Sequence, residues 1–282
     1  MRQLTFTEFS QLTHGQYLGP MNLTVGPPSI DTRTLKSGDV FFALKGPHFD
    51  GHEFLQTAVN SGASALVVSA DFESVRHLRD SQCVPVLSVT CSEHALQVLG
   101  RWHRQEFRGR VCAVTGSCGK TTTKEMLFHS LSPHGQTLRT AGNLNNHLGV
   151  PLSLCRLSAD DEFAVFELGM NAPGEIAELS DWVKPHVGVI TSIGAAHLEG
   201  VGSLSGVARA KGELFEGLTE SDVAVCPSDI PHLENLQHVC KSPIMTVGDR
   251  ESDLLRIGSL IHLPNGSDTV FQHQGIDYRL HL

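Results

Sequence analysis

The sequence predicts an α/β protein in which a small N-terminal α/β domain precedes a larger domain with a mostly parallel sheet and helices on both faces. The chain of 282 residues is long enough for two separate hydrophobic cores. From residue 111 onward, apolar strand-like runs alternate with helix-forming segments. Several of these runs are apolar throughout, which is typical of parallel strands with both faces buried.

The smaller domain is predicted to span residues 1–85. Its expected elements are helices at residues 7–13 and 54–61 and strands at residues 40–44 and 65–68. Gly62 follows the second helix and is a typical stop signal. The apolar run at residues 85–89 is interpreted as the crossing into the second domain.

The second domain is predicted to span residues 86–282. Its strands are expected at residues 111–114, 163–167, 187–193, 223–226 and 244–247. Its helices are expected at residues 92–107, 120–132, 147–154, 175–183 and 205–218. The final segment alternates around turn signals, which predicts antiparallel hairpins made of residues 254–263, 269–273 and 276–282. Because this pattern stops without a capping element, the domain is expected to be incomplete at its C-terminus.

Composition and charge exclude several classes of protein. A net charge of −9 gives no basic surface for nucleic acid, although a few well-placed cations and backbone amides can still bind an anion. The seven cysteines have no Cys-x-x-Cys spacing and are expected to be free thiols. The sequence has no signal-like leader and no long apolar stretch, so a cytoplasmic protein without membrane insertion is expected.

A glycine-rich loop between a predicted strand and a predicted helix makes the larger domain a P-loop type. Its residues are Thr115, Gly116, Ser117, Cys118, Gly119, Lys120, Thr121 and Thr122. Loop N–H groups and the positive end of a helix dipole suit a polyphosphate, with Lys120 on the outer phosphates and the Thr121 hydroxyl towards Mg²⁺. The loop is shorter than the usual Gly-x4-Gly-Lys-[Ser/Thr], because Val114 stands at the first glycine. A purely structural turn is the alternative.

Three charged residues follow later strands and are candidate metal ligands. Glu167 ends an apolar strand, where a buried carboxylate needs a partner such as Mg²⁺ or a strand-end cation. His197 follows the next strand and is either structural or a ligand, although imidazole is an uncommon Mg²⁺ ligand. Lys211 lies among small residues of a helix, where a solvated or phosphate-facing amine is the default. If this amine took up CO₂, the resulting carbamate could hold a second metal ion.

Polar loops provide further candidate binding residues. Asn143, Asn145 and Asn146 can donate to phosphate or carboxylate without adding charge, or they form an Asn-rich turn and a helix cap. In the smaller domain, two polar clusters follow apolar segments, and solvated turns are an equally good interpretation of both. These clusters contain Asp31, Thr32 and Arg33, and Lys45, Gly46, Asp50 and Gly51.

Together these stretches resemble the Mur ligases, which build peptidoglycan precursors and share their central domain with folylpolyglutamate synthetases. The similarity is carried by residues 115–125, 142–151, 167–176, 196–200 and 210–213, and by the two polar clusters within residues 31–51. It covers nearly the whole chain, and several motifs in the same order are more specific than any one of them. A folylpolyglutamate-type enzyme should lack the clusters at residues 31–51, which argues against that branch.

The resemblance implies an ATP-dependent amide ligase of cell-wall biogenesis, which supports cell shape and cell division. ATP would phosphorylate the terminal carboxylate of UDP-N-acetylmuramoyl-tripeptide, and the amine of D-alanyl-D-alanine would attack the resulting acyl phosphate. Lys120, His197 and Lys211 would act in catalysis, with Lys211 as the lysine that is carbamylated in the family. Glu167 and His197 would ligate Mg²⁺, the three asparagines would lie near nucleotide and substrate, and the N-terminal clusters would bind the uridine nucleotide. A monomer is expected.

Two departures from the family's pattern qualify this expectation. Cys118 stands where Ser, Asn or Thr is more usual, so the loop should still bind through its backbone but gain sensitivity to thiol oxidation. The family's Gly-Arg-His-Asn segment and its C-terminal domain, which clamps ATP and brings the dipeptide, are not in the sequence, so residues 1–282 alone are expected not to complete turnover. A fragment of a ligase, a shortened non-catalytic paralogue that binds nucleotide or UDP-sugar-peptide, and a ligase for another acceptor remain open.

Overall fold

The computed structural model describes residues 1–69, 84–195 and 198–281, which divide into two compact units. The first unit contains Met1–Arg108 and His147–Asp160, and the second contains Gly109–Asn146 and Asp161–Leu282. Each unit has its own sheet with parallel strands and helices, which confirms the predicted fold class. The division lies after Arg108 and not at residue 85, where the sequence placed it.

The first unit is built on a five-stranded sheet. In spatial order its strands are β1 (Gln16–Leu18), β7 (Val86–Val89), β6 (Ala65–Ser69), β3 (Val40–Phe42) and β2 (Pro28–Ser29). Strand β1 runs antiparallel to β7, and the other neighbours are parallel. A separate hairpin is formed by β4 (Lys45–Gly46) and β5 (Phe49–Asp50). The helices are α1 (Phe6–Leu12), α2 (Leu55–Asn60), α3 (Ser92–Glu106) and α5 (Gly149–Leu154), with a 3₁₀ helix at Gly51–Phe54.

Alternating strand residues bury both faces of this sheet. Val40 and Phe42 face a core that also contains Phe9 of α1 and Leu99 of α3. Phe41, between them, points to the opposite face and packs in a second core with residues of α2. This alternation is the two-residue period of a strand. It explains why the run is apolar at every position.

Three segments that the sequence assigned to the second domain belong to the first unit, and one of them is the predicted helix at residues 92–107, which is α3. Residues 85–89, interpreted as a crossing, include strand β7, which is buried at all four positions and pairs with both β6 and β1. The predicted helix at residues 147–154 is α5, which packs against α3. The packing is tight, because a Cβ on Gly100 would lie only 2.9 Å from the Pro151 Cα.

The second unit is built on a nine-stranded sheet. In spatial order its strands are β16 (Ile276–His281), β15 (Gly266–His273), β14 (Leu255–Leu263), β13 (Ile244–Gly248), β12 (Val223–Pro227), β11 (Val187–Ile190), β8 (Arg110–Thr115), β10 (Phe163–Glu167) and β9 (Thr137–Arg139). Strands β8 to β13 are parallel to their neighbours and β14 is parallel to β13, whereas β14, β15 and β16 form the predicted antiparallel hairpins. The helices are α4 (Lys120–Leu131), α6 (Glu175–Val183), α7 (Leu198–Val201), α8 (Leu204–Glu216) and α9 (Leu233–Val239).

Helices cover both faces of the parallel part of this sheet. Val187 and Val189 of β11 pack in a cluster with Leu127 of α4. Gly188 lies between them and faces Leu214 of α8 on the other side. The carboxyl ends of β8, β10 and β11 are neighbours, so the residues that follow them meet at one edge of the sheet. Among the helices that the structure describes, none is both long and apolar enough to span a membrane.

Candidate functional site

The glycine-rich loop leaves the buried strand β8 and ends where α4 begins. Gly116 has a φ of +151° and Gly119 a φ of +84°, which L-residues with a side chain rarely adopt. Within the described chain, no side chain caps α4, since its N-cap is Gly119. The first backbone N–H groups of the helix, those of Lys120, Thr121 and Thr122, are therefore available to an anion at the positive end of the helix dipole.

The segment after β11 holds this loop in place. The Ser117 and Cys118 amides donate to the backbone oxygen and the Oγ of Ser192, at 3.0 and 2.9 Å. The Thr191 hydroxyl donates to the Cys118 carbonyl at 2.5 Å, and the Ser117 hydroxyl donates to the Gly194 carbonyl at 3.0 Å. Residues 191–193 were predicted to extend the strand, but β11 ends at Ile190. The polar residues beyond that point make these contacts instead.

Lys120 folds back over the loop that it terminates. Its Nζ donates to the Gly116 carbonyl at 2.7 Å, and its side chain is half-buried. This position directs the ammonium group to the inside of the loop, where the terminal phosphates of a bound nucleotide would lie. The structure places the Lys120 ammonium group over the loop, and its contact with phosphate stays a prediction.

Glu167 is the centre of a polar cluster beside the loop. It ends β10 and is only 3% exposed. One carboxylate oxygen accepts from the Thr121 hydroxyl at 2.9 Å, and the other accepts from the Asn145 side-chain amide at 3.0 Å. Three predicted site residues from separate segments are thus brought together, because β10 lies next to β8 in the sheet.

This donor set fits Mg²⁺, a hard cation that takes oxygen ligands and bridges phosphates. A hydroxyl oxygen and a buried carboxylate face each other at Thr121 and Glu167. Over residues 1–69, 84–195 and 198–281, no group of three or more His, Cys, Asp or Glu side chains is arranged so that it could hold a metal ion.

Lys211 is a buried lysine on α8, only 1% exposed. Burial, and then the nearby charge of Lys120, lower the pKa of the Lys211 amine to about 8. The side chain lies near the loop, since Cys118 also influences this pKa. Of the two default interpretations, the solvated amine is therefore wrong, and the phosphate-facing amine stays a prediction.

The other predicted residues of this unit are distributed as follows. Asn143 and Asn146 are exposed on the loop that carries Asn145. Among the three asparagines, the described contacts to Glu167 come from Asn145, whose backbone also bonds the Gly169 amide at 2.8 Å. His197 lies outside the described residues, so its assignment stays a prediction.

In the first unit, Asp31, Thr32 and Arg33 of the first polar cluster line a cavity of about 500 Å³, whereas Lys45, Gly46, Asp50 and Gly51 of the second cluster are not among its lining residues. Its lining consists of Ile30, Asp31, Thr32, Arg33, Phe41, Phe49 and Phe54. The Arg33 side chain and backbone amide bond the Asp31 carboxylate and lower its pKa to about 2. The Arg33 side chain is otherwise exposed, which leaves charge available for an anionic ligand.

The second polar cluster lies on and directly after the hairpin that follows β3. Asp50 bonds the His52 ring at 2.6 Å, and its other oxygen lies 3.7 Å from the Lys45 ammonium. The His52 Nε2 in turn accepts from the Ser69 amide at 2.9 Å, which anchors the hairpin to β6. Gly51 is required by packing, because a Cβ there would lie 2.8 Å from the Leu44 backbone.

Sequence reasoning missed three residues at these sites. Phe49 and Phe54 stack with ring centroids 5.8 Å apart while remaining partly exposed at the cavity. The signal was two aromatic residues flanking an Asp-Gly turn. Lys124 is fully buried beside Glu167, and the signal was a charged pair, Lys124-Glu125, directly after the loop motif.

Comparisons with known proteins agree on one family. Residues 114–282 match the Mur ligase middle domain, and residues 29–101 match the Mur ligase family catalytic domain. The chain is 42% identical over 242 residues to UDP-N-acetylmuramoyl-tripeptide–D-alanyl-D-alanine ligase of Escherichia coli, covering 86% of this chain and 52% of that protein. The chain therefore spans about half the length of the curated relatives it matches.

Solved structures give the same result. A crystal structure of MurF from Acinetobacter baumannii superposes with a TM-score of 0.89 at 33% identity, covering all of this chain (100%) and 61% of that one. MurF from Thermotoga maritima, solved with ADP, superposes with a TM-score of 0.79 at 28% identity, covering 91% of this chain and 58% of that one. The likeness includes both units, since both alignments extend over nearly the whole chain.

Proposed function

The chain belongs to the Mur ligase family, and from that premise we propose that it provides the nucleotide site and the UDP-sugar-peptide site of an ATP-dependent carbon–nitrogen ligase. The reaction joins D-alanyl-D-alanine to UDP-N-acetylmuramoyl-tripeptide, as the names of its curated relatives state for those proteins. The observation that carries the proposal is the Thr121–Glu167–Asn145 cluster. It lies beside the loop that ends in Lys120, where no described side chain caps helix α4.

The nucleotide is proposed to bind with its phosphates on the loop. Backbone amides at the start of α4 would donate to the phosphates, and Lys120 would neutralise charge on the outer one. Glu167 and Thr121 would hold Mg²⁺, with His197 and a carbamylated Lys211 as the further ligands that the family resemblance implies. The metal ion would supply charge neutralisation on the phosphates during transfer.

The chemistry proposed for this site is amide formation through an acyl phosphate. The terminal carboxylate of the tripeptide attacks the γ-phosphorus of ATP, the bond to the bridging oxygen breaks, and ADP leaves. The amine of D-alanyl-D-alanine then attacks the acyl carbon, and inorganic phosphate departs as the amide forms. Loop residues hold the phosphates in line for the first step, which is mostly a task of positioning and charge stabilisation.

The first unit is proposed to bind the uridine nucleotide of the substrate. Arg33 would pair with phosphate, while the half-exposed Phe49 and Phe54 offer flat apolar surface to a ring. The lining of the cavity combines these two kinds of group, which is the composition expected for a nucleotide site. A cytoplasmic monomer is proposed, in keeping with soluble nucleotide substrates.

The test measures ADP formation with UDP-N-acetylmuramoyl-tripeptide and a panel of acceptor amines. It compares the 282-residue chain with any longer protein that the same reading frame encodes. The chain alone should bind Mg·ADP and the UDP-sugar-peptide without turnover, and D-alanyl-D-alanine should stimulate ADP release by a complete ligase. Stimulation by a different amine would overturn the proposed acceptor. UDP-sugar-peptide binding without ADP formation at any acceptor concentration would favour a non-catalytic binding module.

Thiol alkylation gives an independent check of the nucleotide site. Cys118 and Cys91 are exposed and should react with iodoacetamide, and Mg·ADP should protect Cys118 alone, because it lies in the loop. Cys112 and Cys226 should stay unlabelled, because burial raises the pKa of both thiols to about 12 and the thiolate is the reactive form. Raising the pH from about 7 to about 9 should therefore leave Cys112 and Cys226 unlabelled.

Peptide mass spectrometry of the labelled chain reads out each cysteine separately. Cys91 is the internal control, since it lies in the first unit and outside the loop. Equal labelling of Cys118 with and without Mg·ADP would contradict a nucleotide on the loop.

A further inference from the structure

Lys124 is a buried charge that the proposed mechanism leaves without a role. It lies on the second turn of α4 and is 1% exposed. Burying an ammonium group is strongly unfavourable unless the group is paired and hydrogen-bonded, so the partners of Lys124 indicate its role. They are the Glu167 carboxylate at 3.6 Å, the Glu125 carboxylate at 3.4 Å and the Gly142 carbonyl at 3.4 Å.

Of the two carboxylates, Glu167 depends more on Lys124. Glu125 is partly exposed and is also paired with Arg139 at 2.8 Å. Glu167 is buried, and the other hydrogen-bond donors that reach its carboxylate are the neutral groups of Thr121 and Asn145. Among the described residues, Lys124 is the cation that forms an ion pair with Glu167.

Lys124 also holds both sides of the Glu167 carboxylate in position. Its ammonium contacts the oxygen that accepts from Thr121 and, through the Gly142 carbonyl, the loop that carries Asn145. Asn145 donates to the other carboxylate oxygen. Lys124 therefore joins the start of α4, the end of β10 and the 142–145 loop at one point.

The charge balance around Glu167 is unfavourable for a free dication. The one buried carboxylate is already paired with the ammonium of Lys124, and the ammonium of Lys120 lies on the adjacent loop. Positive charge in a partly desolvated site repels a divalent cation more strongly than it would in water. A nucleotide polyphosphate brings several negative charges and would reverse this balance.

We propose that Lys124 is a positioning residue that makes metal binding depend on the nucleotide. It balances the charge of Glu167 and fixes its carboxylate while no phosphate is present, so a divalent cation enters together with the nucleotide and not before it. This inference rests on the proposed nucleotide site and extends it to the order of binding. A purely structural ion pair would stabilise the fold without affecting when the metal ion binds.

The experiment uses Mn²⁺ as the probe and counts free and bound ion by electron paramagnetic resonance, with and without ADP. The wild-type chain should bind Mn²⁺ at least about tenfold more tightly with ADP than without it. In Lys124→Met, which keeps the apolar stem and removes the charge, Mn²⁺ should bind about tenfold more tightly than to wild type when ADP is absent. Lys124→Arg should restore the dependence on ADP.

A second measurement separates this role from a structural one. Mg²⁺ without nucleotide should raise the melting temperature of Lys124→Met more than that of wild type, because the ion replaces the missing charge beside Glu167. In the double variant Lys124→Met/Glu167→Gln, both buried charges are removed, and this extra response to Mg²⁺ should disappear. Equal Mg²⁺ responses in wild type and Lys124→Met would overturn the inference.

The wild-type comparison keeps the inference testable even where a variant does not fold. Tight Mn²⁺ binding by the wild-type chain in the absence of ADP would overturn the inference and leave the proposed function standing. Failure of ADP to bind the wild-type chain at all would overturn the proposed nucleotide site, and this inference with it.

Discussion

Replacing Lys120 with alanine is expected to weaken Mg·ADP binding by at least about 100-fold while leaving the second unit folded. The ammonium group lies over the loop, with its Nζ on the Gly116 carbonyl at 2.7 Å, and would face the terminal phosphates. A charge-assisted contact to phosphate in a half-buried site contributes roughly 3 kcal/mol, which corresponds to this loss of affinity. Isothermal titration calorimetry measures the affinity, and thermal unfolding measures the fold.

Lys241→Ala is the matched control, since Lys241 is an exposed lysine of the same unit. Its affinity for Mg·ADP should equal that of wild type, and both variants should unfold within about 2 °C of wild type, as expected for changes at solvent-accessible charges. If Lys120→Ala bound Mg·ADP within about threefold of wild type, the loop would be a structural turn, because removing a phosphate-binding lysine causes a larger loss of affinity.

Much of the second unit could be predicted because each of its parallel strands is a short and continuous run of mostly apolar residues. Strand β10 and helix α6 begin and end where the sequence placed them, at Phe163–Glu167 and Glu175–Val183. Polar residues or glycine lie at the ends of each element and interrupt the periodic pattern of its apolar residues. The antiparallel hairpins after Leu255 were equally visible, because turn residues separate their alternating patterns.

The boundary between the units could not be predicted in the same way. Residues 85–89 are an apolar run, and nothing in such a run states which strands it pairs with. The register places β7 between β6 and β1, so it belongs to the first sheet. The helix at Gly149–Leu154 belongs to the first unit, although residues 109–146 before it belong to the second. Its contact with α3 depends on the small size of Gly100.

The candidate site followed from one topological rule. Residues at the carboxyl ends of neighbouring parallel strands meet at one edge of the sheet, which brought Glu167 to Thr121. Lys124 was missed because a lysine on a helix is expected to be solvated. Its burial depends on a carboxylate supplied by a strand much later in the chain, and a local pattern does not carry that information.

Gly116→Ala is expected to abolish nucleotide binding and to destabilise the second unit by about 3 kcal/mol. Gly116 has a φ of +151°, and a Cβ there would lie 1.9 Å from the Thr191 hydroxyl oxygen and 3.1 Å from the Ser192 amide. Thr191 cannot move without losing its hydrogen bond to the Cys118 carbonyl, at 2.5 Å. Backbone strain and loss of loop geometry therefore come together. Calorimetric titration and a melting temperature lowered by roughly 5–10 °C would report both effects.

Gly174→Ala separates backbone strain from this steric conflict. Gly174 also has a positive φ, of +90°, but a Cβ there meets nothing within 4 Å in the described structure. Its alanine variant should lose about 1 kcal/mol of stability and keep its affinity for Mg·ADP. If both variants lost binding equally, general destabilisation would explain the result. If Gly116→Ala alone lost binding, the loop would bind nucleotide only in the geometry that Thr191 enforces, which ties the short glycine spacing to the strand beside it.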